Sequence, residues 1–390
     1  MQKEIARINS CTGCMACVDA CNKDAIVITN VGGLLYPKIN TKICVNCNAC
    51  TKVCPTINLP QHAELEKTKV YAVWSKNNKI RLNAASGGFC SQMGVETIER
   101  GGYVATVTMR ENRPIYILTN NVEELLESSN SKYVQGNPAG IYRQVREKLK
   151  TGTEVLFNGL PCYCAALKNY LKKEYDNLTT IELVCSAPPS TDAIDMTLQH
   201  CKATELNKFR KKIDGRMWGG GDHNLVVDKN CIIQQNKTVF YKIFASMMTA
   251  RHSCMNCKFA TMKRIADFTA ADFHGYHCEN YQKGVSLIIA NNYKAIEKLS
   301  GAKGLHIIPE TWVKAVNSNN RLYNGFDFVR YHPGVVFRKR LIGGILFKKM
   351  CLNNGLFRLL WLPFKLVTKL VIKFKYKKAI KVAAELDKIQ

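Results

Sequence analysis

The stretch 153-TEVLFNGLPCYCAALKNYLKK-173 changes period halfway along. Its first seven residues read as a strand. After the turn, Ala165, Leu167, Tyr170 and Leu171 fall on one helical face, and Pro161 suits a first helical turn because it has no amide to satisfy there. A strand running into a helix is a βα unit. The next unit repeats it, with "TTIELVC" (179–185), the turn "SAPPS", and a helix whose N-cap is expected at Ser190 or Thr191. Upstream, "VYAVW" (70–74) is strand-like. Downstream, "HNLVVDKNCIIQQ" reads as a hairpin turning at Asp228–Asn230. We therefore expect an α/β or mixed domain with a partly parallel sheet.

Composition adds a second theme. The chain has 390 residues, 46% of them hydrophobic, enough to fill ordinary cores in two or three domains. "MQKEIARINS" carries charge where a secretory signal would be apolar, so a reducing cytoplasmic setting is expected. In that setting 18 cysteines suggest metal ligands or catalytic groups more than structural disulfides. Eight of them form two repeats: Cys11, Cys14, Cys17 and Cys21, then Cys44, Cys47, Cys50 and Cys54, each spaced C-x2-C-x2-C-x3-C. That is the spacing of the bacterial two-cluster ferredoxin run, in which the fourth cysteine of each repeat serves the other repeat's cluster. The crossed assignment gives Cys11, Cys14, Cys17 and Cys54 to one [4Fe–4S] cluster, and Cys44, Cys47, Cys50 and Cys21 to the other. Zinc needs two C-x2-C pairs across a longer loop and leaves the duplicated triplets unexplained. The bland alternative is that the clusters only staple a small module. β-like runs are expected after each repeat, at "AIVIT" and "INLP".

Cys162, at a helix start, and Cys185, at a strand end, both lie where open α/β sheets place their ligands. Cys254 and Cys257 add a C-x2-C. Taken singly these are buried small hydrophobes, and the pair alone suits zinc as well. The pattern leaves that choice open.

Net charge is +26, and residues 330–390 supply half of it, with fifteen Lys and Arg against Glu385 and Asp387. No nucleic-acid module accompanies this charge, so nucleic acid is not expected as a partner. Within 356–382, Lys365, Lys369, Lys373, Lys377 and Lys381 recur at four-residue steps among apolar residues, and Pro363 should kink or start the helix. Leu359–Phe364 is its longest uncharged run, too short to cross a bilayer. The helix suits an anionic membrane surface on the inner face, packing of its apolar side on the domain, or a protein partner.

From about residue 70 to 290 the chain resembles the coenzyme F420 hydrogenase and dehydrogenase beta subunit family, and a ferredoxin-like module in front is a common arrangement there. The match is carried by "ASGGF" (85–89), "SKYVQGN" (131–137), "NGLPC" (158–162), "VCSAPPS" (184–190), "FRKKIDGRMWGG" (209–220), "CMNCKFATMKRIADFTAADFHG" (254–275) and "KGVS" (283–286). The resemblance implies a flavin, usually FAD, and a third [4Fe–4S] cluster on Cys162, Cys185, Cys254 and Cys257. It implies cofactor contacts at Ser86, Gly87, Gly88, Lys132, Tyr133 and Gln135, with no catalytic residue assigned. Arg264, Asp267, Thr269 and Asp272 either serve the site or satisfy one another. Ser186–Ala187, Tyr163–Cys164 and His274 depart from the usual residues, which puts the deazaflavin itself in doubt as substrate.

The expected fold is thus mixed α/β: a ferredoxin-like module (1–60), a linker (61–69), a flavin-binding α/β domain (70–329) and a basic helical tail (330–390). The expected function is an iron–sulfur flavoprotein oxidoreductase exchanging electrons with an organic substrate, deazaflavin-like or linked to surface-polysaccharide synthesis, or with a redox partner such as a ferredoxin or dehydrogenase subunit. The alternatives are an electron-transfer subunit without its own substrate and a cluster-stapled scaffold at a membrane surface.

Overall fold

A computed structural model describes residues 5, 6, 8–212, 224–234, 238–246, 249–255, 257–323 and 365–389. Pro363, most of "FRKKIDGRMWGG" and the first part of the basic tail lie outside the described residues.

The leading module holds α1 (Ala16–Asp19), the hairpin β1 (Ile26–Val31) and β2 (Leu34–Ile39), and α2 (Ala49–Lys52). The hairpin sits between the cysteine repeats, and β2 was not anticipated. "INLP" is not a strand: its backbone turns back on Cys54, with Asn58 N donating to Cys54 O at 2.8 Å. The Asn58 side chain is tied to the carbonyls of Thr51 and Lys52, which leaves no ladder to join.

The main body begins with β3 (Lys69–Ser75), α3 (Asn78–Asn83), α4 (Phe89–Glu99), β4 (Tyr103–Arg110), β5 (Arg113–Thr119), α5 (Val122–Glu127) and α6 (Ile141–Lys150). The expected βα units follow as β6 (Val155–Gly159) with α7 (Pro161–Leu171), then β7 (Leu178–Leu183) with α8 (Asp192–Cys201). A small antiparallel sheet of β8 (Leu206–Lys211), β9 (Asn224–Val227) and β10 (Cys231–Ile233) contains the expected hairpin. Then come α9 (Phe240–Ser246), α10 (His252–Met255), β11 (Phe268–Asp272), β12 (Ser286–Ala290), α11 (Tyr293–Ser300), β13 (Leu305–Glu310) and α12 (Trp312–Ser318). The last helix is α13 (Lys365–Asp387).

The main sheet runs β13-β3-β12-β11-β7-β6-β4-β5. Its middle, β4, β6, β7 and β11, is parallel, and its flanks are antiparallel. Alternate side chains point to opposite faces, so Val155 and Phe157 pack under α6 and α7 while Leu156 packs under α4. Both faces are covered, which is why the central strands read as unbroken apolar runs. The parallel strands end on one edge of the sheet. Cys162, Cys185 and Asp272 all lie at or just beyond those ends.

The tail helix packs. Ala379, Ala383 and Leu386 are buried with Trp312, Ala315 and Val316 of α12, while Lys373, Lys377 and Lys381 face out. Among the described residues, no helix is long and apolar enough to cross a membrane.

Candidate functional site

The two cysteine loops share a backbone. Gly13 and Met15 of the first have φ of 69° and 55°, and their counterparts Asn46 and Asn48 have 56° and 61°. Alternation between left-handed and ordinary residues turns successive amides toward one concave side, a geometry that binds anions. Amides already point at sulfur: Gly13 N lies 3.4 Å from Cys11 Sγ, and Ala25 N lies 3.3 Å from Cys21 Sγ.

The fold brings the second repeat's last cysteine to the first triplet. Burial pushes the thiols of Cys11 and Cys17 up and that of Cys14 up to about 12, and the charge of Cys54 raises all three further. Cys21, Cys44 and Cys50 pack against the small core that Cys17 and Cys54 share with Ile26 and Ile39. Cys47 is exposed. Three buried thiols and the half-buried Cys11, with amide donors beside them, fit a thiolate-ligated cluster. Among the described residues, no three His, Cys, Asp or Glu side chains converge as ligands of a single metal ion.

The second cysteine set meets the first. Burial raises the Cys162 thiol well above its usual range, and Cys185, Cys257, Cys14 and Cys254 add to it in that order. Cys185 is pushed up to about 12, again chiefly by burial, with Cys257 next. One of the four groups around Cys162, Cys14, therefore comes from the leading module. Cys162 is the second residue of α7, where Pro161 opens the helix, so the helix N-terminus points at it.

A dense seam holds the two parts together, and sequence reasoning missed most of it. Asp19 accepts the amides of Gly140, Tyr142 and Arg143 at 2.6, 3.0 and 3.3 Å, capping α6 from the other module. Arg143 returns hydrogen bonds to the carbonyls of Asp19, Val18 and Cys21. Tyr142 Oη donates to Cys14 O, and Ser253 Oγ to Cys11 O. Arg251, 2% exposed, donates to Gln135 Oε1 and Leu35 O and lies 4.2 Å from the Tyr36 ring centroid. A Cβ at Gly13 would stand 2.5 Å from Arg251 Nη2, so the bare α-carbon admits the guanidinium against the cysteine loop. The only sequence hint was Arg251's place three residues before Cys254.

The expected flavin contacts fall in separate places. Ser86 Oγ donates to Val285 O at 2.8 Å, and Gly87 N to Ser286 Oγ at 3.0 Å. A Cβ at Gly87 would meet Val73 O at 2.4 Å, so close packing on β3 already demands glycine there. Gly88, at φ 88°, opens α4, whose first turn has no side-chain cap. Lys132 lines a cleft of about 600 Å³ with Asn83, Arg110 and Lys208, and its Nζ is held by the carbonyls of Ser128, Ser129 and Asn130. Burial first and Lys208 second bring its pKa down to about 7. Tyr133 packs edge-on against Phe209, Tyr241 and Phe244. Gln135 sits at the seam, with Nε2 donating to Thr12 O at 2.6 Å, away from the Lys132 cleft. Glu123, Glu124, Glu127 and Glu205 line the same cleft as Arg110, Lys132 and Lys208, so its charge does not favour an anion, and of the expected contacts only the uncapped helix start after Gly88 suits a phosphate. The contact set as expected is not gathered in one pocket.

The polar residues near the C-x2-C divide. Buried Arg264 pairs with buried Glu182 at 3.4 Å, Thr269 donates to Glu182, and Asp267 accepts from Thr180 and Asn292. These three satisfy a structural network. Asp272 instead faces Arg210 at 2.6 Å and His274 at 3.7 Å. Burial pushes its carboxyl up, but Arg210 and His274 outweigh that and hold it below its usual value. Lys212, also missed, ties the carbonyls of Arg81, Ser86 and Lys283 together. Tyr163 is buried with its hydroxyl on Gly136 O, and Ala187 takes a left-handed φ of 57°.

Three family models match the chain. They are a 4Fe-4S dicluster domain over residues 10–58, the N-terminal part of the coenzyme F420 hydrogenase/dehydrogenase beta subunit over 70–139, and its C-terminal part over 152–308. No curated protein matches. Among solved structures, the chain is similar in fold to one from the F420-reducing [NiFe] hydrogenase complex of Methanosarcina barkeri. Identity is 14% over 71% of this chain and 89% of that one, with a TM-score of 0.46.

Proposed function

We propose, for a chain that belongs to the coenzyme F420 hydrogenase/dehydrogenase beta subunit family and carries a 4Fe-4S dicluster module in front, an iron–sulfur flavoprotein oxidoreductase. In this reading Cys11, Cys14, Cys17 and Cys54 hold an inner cluster and Cys21, Cys44, Cys47 and Cys50 an outer one, with a third on Cys162, Cys185, Cys254 and Cys257. Clusters supply one-electron exchange, and a flavin supplies the conversion between single electrons and hydride. The helix start after Gly88 is the group that would hold the flavin's phosphates. Asp272, with Arg210 and His274 beside it, would orient polar groups at the sheet edge.

The observation that carries this reading is that Cys14 of the leading module and Cys162 of the main body pack into the same apolar core, so the two cysteine sets meet there. Ser186–Ala187, Tyr163–Cys164 and His274 favour an organic substrate other than the deazaflavin, of which a surface-polysaccharide precursor is one class. The outward lysines of α13 leave a ridge for an anionic membrane surface.

Anaerobic reconstitution with iron and flavin analysis tests it. The full chain should hold about twelve iron atoms and one flavin, and Cys162→Ala should lose about four iron atoms while the dicluster spectrum stays. Reconstituted protein without flavin, or with iron unchanged in C162A, would overturn the flavoprotein or third-cluster reading respectively.

A further inference from the structure

The two cysteine loops share spacing and backbone but not environment. In the first, Gly13 to Cys17 are buried against the main domain. In the second, every residue from Thr41 to Asn48 is exposed except the half-buried Cys44. Ile43 and Val45 remain 46% and 60% exposed there, flanking a cysteine that is itself exposed. A short loop gains nothing from displaying two branched apolar side chains to water unless something covers them. Charge says what kind of cover fits. From Ala25 to Ala63 the chain contains no Asp or Glu, while Lys38, Lys42 and Lys52 are exposed. The nearest preceding acids are spoken for: Asp19 caps α6 and Asp24 pairs with Arg143.

We propose that the 41–48 loop is the docking face for a small acidic electron-carrier protein, with Ile43 and Val45 as its apolar centre and Lys42 and Lys52 as its steering charges. The apolar centre supplies contact once the water is expelled, and the lysines accelerate encounter in a salt-dependent way. A partner seated here lies against the outer cysteine set, which shares a small core with Cys17 and Cys54, while Cys14 of the inner set packs in the same core as Cys162. The inference rests on the dicluster reading for its purpose, but the surface is tested independently of electron flow.

The probe is a purified acidic two-cluster ferredoxin, titrated anaerobically against the full reconstituted chain by calorimetry, with a basic cytochrome as control. Binding should weaken at least tenfold in Val45→Glu and in the Lys42→Glu/Lys52→Glu pair, and should fall steeply with added salt. Iron content and reduction by dithionite should stay as in the wild type. Unchanged affinity in iron-replete variants, or equal binding of the basic cytochrome, overturns the proposal. So does a dimer of this chain that V45E splits, because the face would then serve a second copy. Should the glutamate variants lose iron, Val45→Ala and Lys42→Gln/Lys52→Gln take their place, and salt-insensitive binding by the wild type counts against the idea. A wild-type chain that takes up no iron refutes the cluster reading instead.

Discussion

Arg251 places a permanent positive charge, out of water, against the inner cysteine loop. Its Nη1 has no hydrogen-bond partner among the described residues, and it already draws the Cys11 thiol down against the upward push of burial. A reduced cluster is more negative than an oxidised one, so a fixed cation beside it favours reduction. The loop around Cys47 has solvent in that place. Arg251→Gln should therefore lower the midpoint potential of the inner cluster by about 100 mV, the size of a unit charge at roughly 6 Å in an effective dielectric near 20. Arg251→Lys should recover most of the difference. A redox titration followed by EPR reads both, and potentials that agree across the three proteins would dismiss the role. A loosened fold alone would not be rescued by lysine in this ordered way.

At the scale of elements, α12 and α13 show how distant parts of the chain complete one another. Asp387 accepts the first-turn amides of Trp312 and Val313 at 2.6 and 3.0 Å, while Ala383 and Leu386 close over the same helix. Asp387→Ala removes both bonds and should cost about 1 kcal/mol, lowering the melting midpoint by about 2–4 °C in calorimetry. An unchanged melt would mean water replaces the carboxylate without loss. The tail's burial could be read from its lysine spacing only as one of three options, because periodicity marks an apolar face without saying what covers it. The βα units around Phe157 and Ile181 were legible because apolar runs, Pro161 and the helical spacing of Ala165 and Leu171 are local signals. β2 was missed because it carries Pro37 and is held only by pairing with β1. Gln135's partners Thr12 and Arg251 lie more than a hundred residues away, a pairing no local pattern announces.

In the whole molecule, the distance between the two cysteine sets is set by the seam, and one pair of side chains supplies about half of its hydrogen bonds. Asp19 and Arg143 form a reciprocal latch: the carboxylate caps α6, and the guanidinium at its third residue holds three carbonyls around α1 and Cys21. Nothing in the sequence announces it, since an Asp and an Arg that far apart read as ordinary surface charges. Arg143→Ala removes the guanidinium from those carbonyls, and the lost charge-assisted hydrogen bonds together are worth a few kcal/mol. The main sheet does not share them. Amide hydrogen exchange in residues 14–24 should then accelerate at least tenfold, while β6 and β7 exchange as before. If the clusters are bound as proposed, electron passage between the two sets should slow as well, because a loosened α1 lets Cys14 drift from Cys162. Faster exchange across β6 and β7 would point to general unfolding, and no change in residues 14–24 would show that Tyr142, Ser253 and Gln135 hold the seam without the latch.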